Sequence, residues 1–215
     1  RDLVRSRGLG DVYKRQTMNK MTHEDKQELK RMLKEDCGHI PSDEVMDAFL
    51  DAGDVFCIEK WSHIIESGQF DPNMYIIMDG LVRVWFWDGD KEKTVYFSTI
   101  PTVLLNYHSY FGNEPSFYNY QACTRLKVFR IRKKDFDRMN ERYPELTRWC
   151  LTLAYGQLYY FELKHKANLG DSKERYLSLI KTLPNIIQEV PLQIIAQYLD
   201  ITPQYLSKLR RDLFM

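Results

Sequence analysis

Residues 54–131 alternate and break often. Turn signals stand at Ser67-Gly68, Asp71-Pro72-Asn73, Asp79-Gly80, Asp88-Gly89-Asp90 and Asn113-Glu114-Pro115. Between them lie the short segments VFCIEKW, HIIES, MYIIMDG, LVRVWFW, KTVYFST, NYQACT and LKVFRIR, rich in β-branched and aromatic residues. Such side chains suit a pleated, half-buried surface, while Gly, Pro, Asn and Asp supply the reversals. Asp88-Gly89, set between LVRVWFW and KTVYF, marks a tight hairpin. Roughly seven or eight strands at this spacing predict a double-sheet β-roll of the jelly-roll kind, with its own core.

Helical periodicity flanks this stretch. Thr22 predicts the cap of a helix whose apolar residues Leu29, Met32 and Leu33 fall three and four apart. Cys37-Gly38 ends it. Pro41-Ser42-Asp43-Glu44 then opens a second helix carrying Val45, Met46, Phe49 and Leu50. Beyond Lys133, Phe136 and Met139 sit on a short helix that Tyr143-Pro144 ends. A long helix follows over 145–167, with Leu146, Trp149, Leu153, Gly156, Tyr160 and Leu163 along one heptad-like seam. At 1.5 Å per residue it spans about 35 Å, more than a small roll can cover. The seam is therefore expected to pair with a second copy of the chain rather than only with its own roll. Ala167-Asn168-Leu169-Gly170 ends that helix. Asp171-Ser172 starts another, whose stripe of Leu177, Ile180 and Leu183 runs to Pro184.

Charge says little about partners. The 215 residues hold 31 Lys/Arg and 30 Asp/Glu, a formal charge of +1. Residues 1–17, RDLVRSRGLGDVYKRQT, precede Met18, show neither a helical nor a strand period, and resemble a translated sequencing adapter. They are read as a non-native or disordered leader. They carry five of the cations and two of the acids, so the remainder stands at -2. No apolar run approaches a membrane span, and no secretory signal opens the sequence, which points to the cytoplasm. Cys37, Cys57, Cys123 and Cys150 are far apart and include no C-x-x-C pair, so reduced thiols without a metal are expected.

The most specific pattern is VPLQIIAQYLDITPQYLSKLRRDL, residues 190–213. Pro191 suits a first helical turn, where its missing N–H costs nothing. Ile194, Ile195, Ala196 and Leu199 make one apolar face, and small Ala196 permits close helix approach. Asp200-Ile201 forms a turn with Ile201 as a plug, Thr202 is an N-cap, and Pro203 opens the next helix. Leu206 and Leu209 point inward, leaving Gln204, Tyr205, Ser207, Lys208 and Arg211 outside. Two helices, a tight turn and a polar outer face predict a helix-turn-helix. Gln193, Thr202 and Arg211 would then reach phosphates; Gln204, Tyr205, Ser207 and Lys208 would face base edges.

Taken together, these segments resemble the Crp/Fnr superfamily of bacterial transcription regulators, of the Bacteroidetes type, over roughly residues 22–213. MYIIMDGLVRVWFWDGDKEKTVYF (74–97) is similar to the strand–glycine–strand hairpin of its sensor domain. DSKERYLSLIKTLP (171–184) and VPLQIIAQYLDITPQYLSKLRR (190–211) are similar to its DNA-binding domain. The resemblance implies an α+β chain in four parts. These are the leader (1–17), a cyclic-nucleotide-binding-like β-roll with flanking helices (18–144), a dimerisation helix (145–168) and a helix-turn-helix domain (169–215). It implies a homodimer on a palindromic operator, with double-stranded DNA, RNA polymerase and a small-molecule effector as partners, and no cofactor. The effector segment departs from the family pattern. In YFGNEPSFYNYQACT (110–124), Gly112-Asn113 stands near a Gly-Glu position and Ser116-Phe117 near an Arg-Ser position. Gly112, Asn113, Glu114, Ser116 and Phe117 thus mark an effector pocket that lacks the arginine a cyclic phosphate needs. The expected effector is something other than cyclic AMP, or none.

Two other readings compete. One is a small-molecule-sensing β-roll whose DNA contacts have weakened or been lost, which the polar and basic recognition face argues against. The other is an enzyme on a cupin-like roll, which needs a His-x-His pair. His23, His39, His63, His108 and His165 stand singly, and no G-x-S-x-G or phosphate-loop glycine pattern occurs. No catalytic site is read.

Overall fold

The structure, a computed structural model, describes residues 19–98, 101–168 and 170–214. The expectation for residues 1–17 lies outside them. Among the described residues, in chain order, α1 (His23–Cys37) and α2 (Asp43–Asp51) precede eight strands: β1 (Asp54–Ile58), β2 (His63–Ile65), β3 (Met74–Asp79), β4 (Val82–Asp88), β5 (Lys91–Ser98), β6 (Thr102–Leu105), β7 (Asn119–Ala122) and β8 (Leu126–Ile131). A short helix, α3 (Tyr107–Tyr110), interrupts the strands. The carboxy-terminal helices are α4 (Lys133–Arg142), α5 (Pro144–Asn168), α6 (Ser172–Thr182), α7 (Ile186–Glu189), α8 (Leu192–Tyr198) and α9 (Pro203–Phe214).

The strands form two four-stranded antiparallel sheets, ordered β1-β8-β3-β6 and β2-β7-β4-β5. Strand alternation sends β3 and β8 into two cores. Tyr75, Ile77, Leu126 and Val128 meet Val82, Val84 and Tyr120 of the second sheet. Met74, Ile76, Phe129 and Ile131 face the opposite way, onto α1, α2, α4 and the start of α5. Burial on both faces explains why MYIIM is apolar without a break. β6, which periodicity misses, is the edge strand of this sheet, and its four residues are too few to show alternation.

Helix ends follow local chemistry. The Thr22 hydroxyl accepts from the Asp25 amide at 3.1 Å, and Gly38 closes α1 at φ 68° with its amide on the Lys34 carbonyl. Phe49 of α2 is the hub of the first core, with ring centroids at 5.3 Å from Phe129, 6.0 Å from Phe136 and 5.7 Å from Trp149. Pro144 does not merely end α4; it is the first residue of α5, the helical position proline tolerates best. Gly80, at φ 99°, turns β3 into β4 with no room for a side chain. A Cβ there would lie 2.6 Å from the Arg125 carbonyl oxygen and 2.7 Å from Thr124 Oγ1.

A third core joins α6–α9 to the roll. Tyr176, Leu179, Ile186, Val190, Ile195, Ala196, Leu199, Leu206 and Leu209 cluster with Leu81, Phe97 and Cys123. The expected stripe on α6 needs correction: Tyr176 and Leu179 carry the burial, Ile180 and Leu183 pack from the side, and Leu177 faces outward. Tyr176 is fully buried in the cluster it shares with Ile195, Ala196, Leu199, Leu206 and Leu209 of the α8–α9 pair.

Candidate nucleic-acid interface and sensor pocket

α8 and α9 are joined by residues 199–202. Asp200 takes φ 54°, Ile201 turns back so that its amide donates to the Ala196 carbonyl at 3.0 Å, and Thr202 Oγ1 accepts from the Tyr205 amide at 3.1 Å. That cap satisfies a helix-end donor, and Thr202→Ala would cost about 1 kcal/mol. Ile195, Ala196, Leu199, Leu206 and Leu209 are buried, with Ile194 and Ile201 packed beside them. Gln193, Thr202, Gln204, Tyr205, Ser207, Lys208 and Arg211 are all exposed. The pair therefore presents polar and basic residues to solvent, because its apolar positions are consumed by the third core.

α5 divides its seam between two environments. Leu146 and Trp149 are fully buried against α2 and the first sheet, and Leu153 is half-buried on the same core. These three side chains are occupied within the chain, so the expected partner contact does not run through Leu146 or Trp149. The reason is packing: the Trp149 indole lies edge-on to Phe49 in the cluster that also holds Phe129 and Phe136. Gly156, Tyr160 and Leu163 are exposed. The unoccupied apolar face is a different stripe, Leu151 (51% exposed), Tyr155 (63%), Leu158 (65%) and Tyr159 (62%), at helical spacing.

The expected effector segment folds back on itself. Asn106 Nδ2 donates to Ser109 Oγ at 2.7 Å, and that hydroxyl donates to the Glu114 carbonyl at 2.8 Å. The Glu114 amide donates to the His108 carbonyl and the Ser116 amide to the Gln69 carbonyl. Gly112, Asn113 and Glu114 are exposed, Ser116 is buried, and Phe117 is half-exposed. Two of the amides that would otherwise be free to cradle an anion are thus spent on the protein. Arg125, the arginine that follows this segment, lies 3.5 Å from Glu59. Arg83 points to the outer face of the second sheet, bound to Gln121 at 2.7 Å and Glu92 at 2.9 Å.

In place of charge, this end of the roll is lined with rings. Phe86, Phe117, Tyr118 and His108 lie within 6.2 Å of one another along a chain of centroid contacts. The Tyr96 hydroxyl donates to Tyr120, which donates to the Leu105 carbonyl at 3.2 Å. Burial pushes both phenols above their ordinary range. Phe161 of α5 packs edge-on against Tyr96 at 6.5 Å. Sequence reading missed this aromatic set and Lys164, which touches it. The available signal was the pair Phe161 and Lys164, three apart on α5 and each one residue beyond the seam positions Tyr160 and Leu163.

Two concave surfaces lie elsewhere. One, of about 450 Å³, is lined by Arg130, Arg132, Lys133, Lys134, Asp137, Pro72 and Asn73. The other, of about 360 Å³, lies between the β3–β4 turn and residues 182–189. Among the described residues no group of three or more His, Cys, Asp and Glu could hold a metal, and no helix is long and apolar enough to cross a membrane.

Residues 49–143 match the family model described as the cyclic nucleotide-binding domain. The structure is similar to the c-di-GMP-responsive global regulator CLP of Xanthomonas campestris (TM-score 0.63, 13% identity, 80% of this chain and 91% of that one). It is also similar to FixK2 of Bradyrhizobium japonicum (0.61, 16%, 75% and 84%) and to the catabolite activator protein of Thermus thermophilus (0.52, 15%, 82% and 85%). At these identities the likeness is one of fold, shared with regulators of the Crp/Fnr type, and it runs beyond the two sheets. No curated protein sequence matches the chain.

Proposed function

We propose that the chain is a homodimeric, sequence-specific DNA-binding regulator of the Crp/Fnr type, with residues 169–215 as its helix-turn-helix domain. The observation that carries this reading is the capped α8–α9 pair, whose apolar face is consumed internally while every predicted contact residue stays exposed. α9 would enter the major groove, Gln204, Tyr205, Ser207 and Lys208 meeting base edges. Gln193, Thr202 and Arg211 would hold phosphates. The stripe Leu151, Tyr155, Leu158 and Tyr159 would pair two copies, giving two recognition helices one DNA turn apart.

The roll would act as a sensor that takes no cyclic AMP. A cyclic phosphate would meet a loop whose Glu114 and Ser116 amides are already bound and whose own residues, 110–124, include no arginine. A ligand suited to the ring-lined end would be apolar or aromatic. RNA polymerase is a further partner in this reading, and the cytoplasm its place.

Selection of bound DNA from a random pool tests the proposal. The expected result is a two-fold symmetric consensus, and Lys208→Ala should lose about 1–3 kcal/mol of binding to it. No enrichment, or an unchanged affinity and sequence preference in Lys208→Ala, would overturn the assignment. The weakened-DNA reading predicts the former result together with a thermal shift on adding a small aromatic metabolite.

A further inference from the structure

β5 is the edge strand of the second sheet, and it is not regular. Val84 pairs with Tyr96 and Trp85 with Thr94, so Val95 is the extra residue of a bulge. A bulged residue leaves the hydrogen-bond ladder, and its carbonyl needs another donor. Lys164 of α5 supplies it, donating from Nζ to the Val95 carbonyl. The same ammonium sits 5.5 Å from the centroid of Tyr96 on β5 and 5.3 Å from that of Tyr198 on α8. Next to it, Phe97 packs on Tyr198 with centroids 5.2 Å apart. No carboxylate pairs with Lys164 among the described residues, and burial pushes it down to about 8. A solvated surface lysine would not show that shift.

One side chain of α5 therefore joins its own helix to two elements with different tasks. α5 carries the unoccupied apolar stripe, β5 borders the ring-lined end of the roll, and α8 is the first helix of the recognition pair. Only residues 169–171 link α5 to α6, so the pair's orientation is set by its packing on the roll, through the third core and the Lys164 contacts. The exposed contact residues on α9 are not covered by this docking, which rules out simple occlusion of the reading face.

We infer that Lys164 is a positioning residue that locks the α8–α9 pair onto the β5 bulge and so sets the separation of the two recognition helices in the dimer. This rests on the DNA-binding reading. Two recognition helices held rigidly act as a bivalent ligand whose second contact is matched to one half-site spacing; a looser link lowers that match but tolerates other spacings.

The test uses the full chain, with Lys164→Met removing the ammonium while keeping the aliphatic stem, and Tyr198→Leu acting from the other side of the contact. Hydrogen exchange of the α8 amides should speed up at least about tenfold in both variants, while the exchange of β3 and β8 stays as in the wild type. Binding to the selected operator, and to copies with one or two base pairs inserted between half-sites, is then measured. The wild type should lose about tenfold or more per insertion, and Lys164→Met less than about threefold, with unchanged affinity for a single half-site. Unchanged α8 exchange in both variants would overturn the inference, as would a wild-type spacing profile. If the wild type selects no DNA, the regulator reading fails, while the exchange measurement still reports on the lock.

Discussion

Replacing Leu158 with alanine removes Cγ and both Cδ atoms from the middle of the unoccupied stripe on α5. At about 0.8 kcal/mol per buried carbon, complete burial of those atoms would be worth about 2.4 kcal/mol. Leu158 is 65% exposed in the single chain, so about 1.6 kcal/mol is still to be gained on pairing. The two-fold related copy doubles that to about 3 kcal/mol, or roughly 150- to 200-fold in the dimer dissociation constant. Sedimentation velocity across a concentration series measures the constant directly. Leu146→Ala is the control: it opens a cavity in the first core, costs about 2–5 kcal/mol of unfolding stability, and leaves association unchanged. Equal association of Leu158→Ala and the wild type would refute the argument, as would a wild type that stays monomeric while binding DNA.

Gly80→Ala should be among the most damaging small substitutions. It adds a Cβ against the Arg125 carbonyl and forces an alanine to φ 99°, for about 2–4 kcal/mol lost in a denaturant melt. Thiol labelling of the native protein near pH 8 should modify Cys57 alone. Cys57 is exposed, whereas burial pushes Cys123 up to about 12 and Cys150 to about 11, and Cys37 is also raised to about 11; mass spectrometry after a timed quench reads the sites. Lys164 makes stability pH-dependent with a definite sign. Its folded value of about 8 lies below the ordinary 10.5, so the unfolded chain binds more protons between them and stability rises with pH through that window. Raised thiols and phenols oppose this above about pH 9, so the readout is the stability of the wild type relative to Lys164→Met, which should grow from about pH 8 to 10.

Much of the fold can be read from local chemistry. Turn residues and β-branched runs mark seven of the eight strands, Thr22 and Thr202 are caps in fact as in pattern, and Ile195, Ala196, Leu199, Leu206 and Leu209 are buried as their spacing requires. These features answer to forces acting within a few residues, where steric and hydrogen-bond preferences are encoded directly. Long-range packing settles which apolar residues spend their surface inside the chain. Leu146 and Leu158 lie on one helix and look alike in sequence, yet the first core takes the first, beside Phe49 and Phe129, and leaves the second exposed. Likewise the role of Lys164 depends on a bulge at Val95, 69 residues away, whose carbonyl no local pattern announces. Burial is a property of what the rest of the chain brings to a surface, and that is fixed only when distant segments meet.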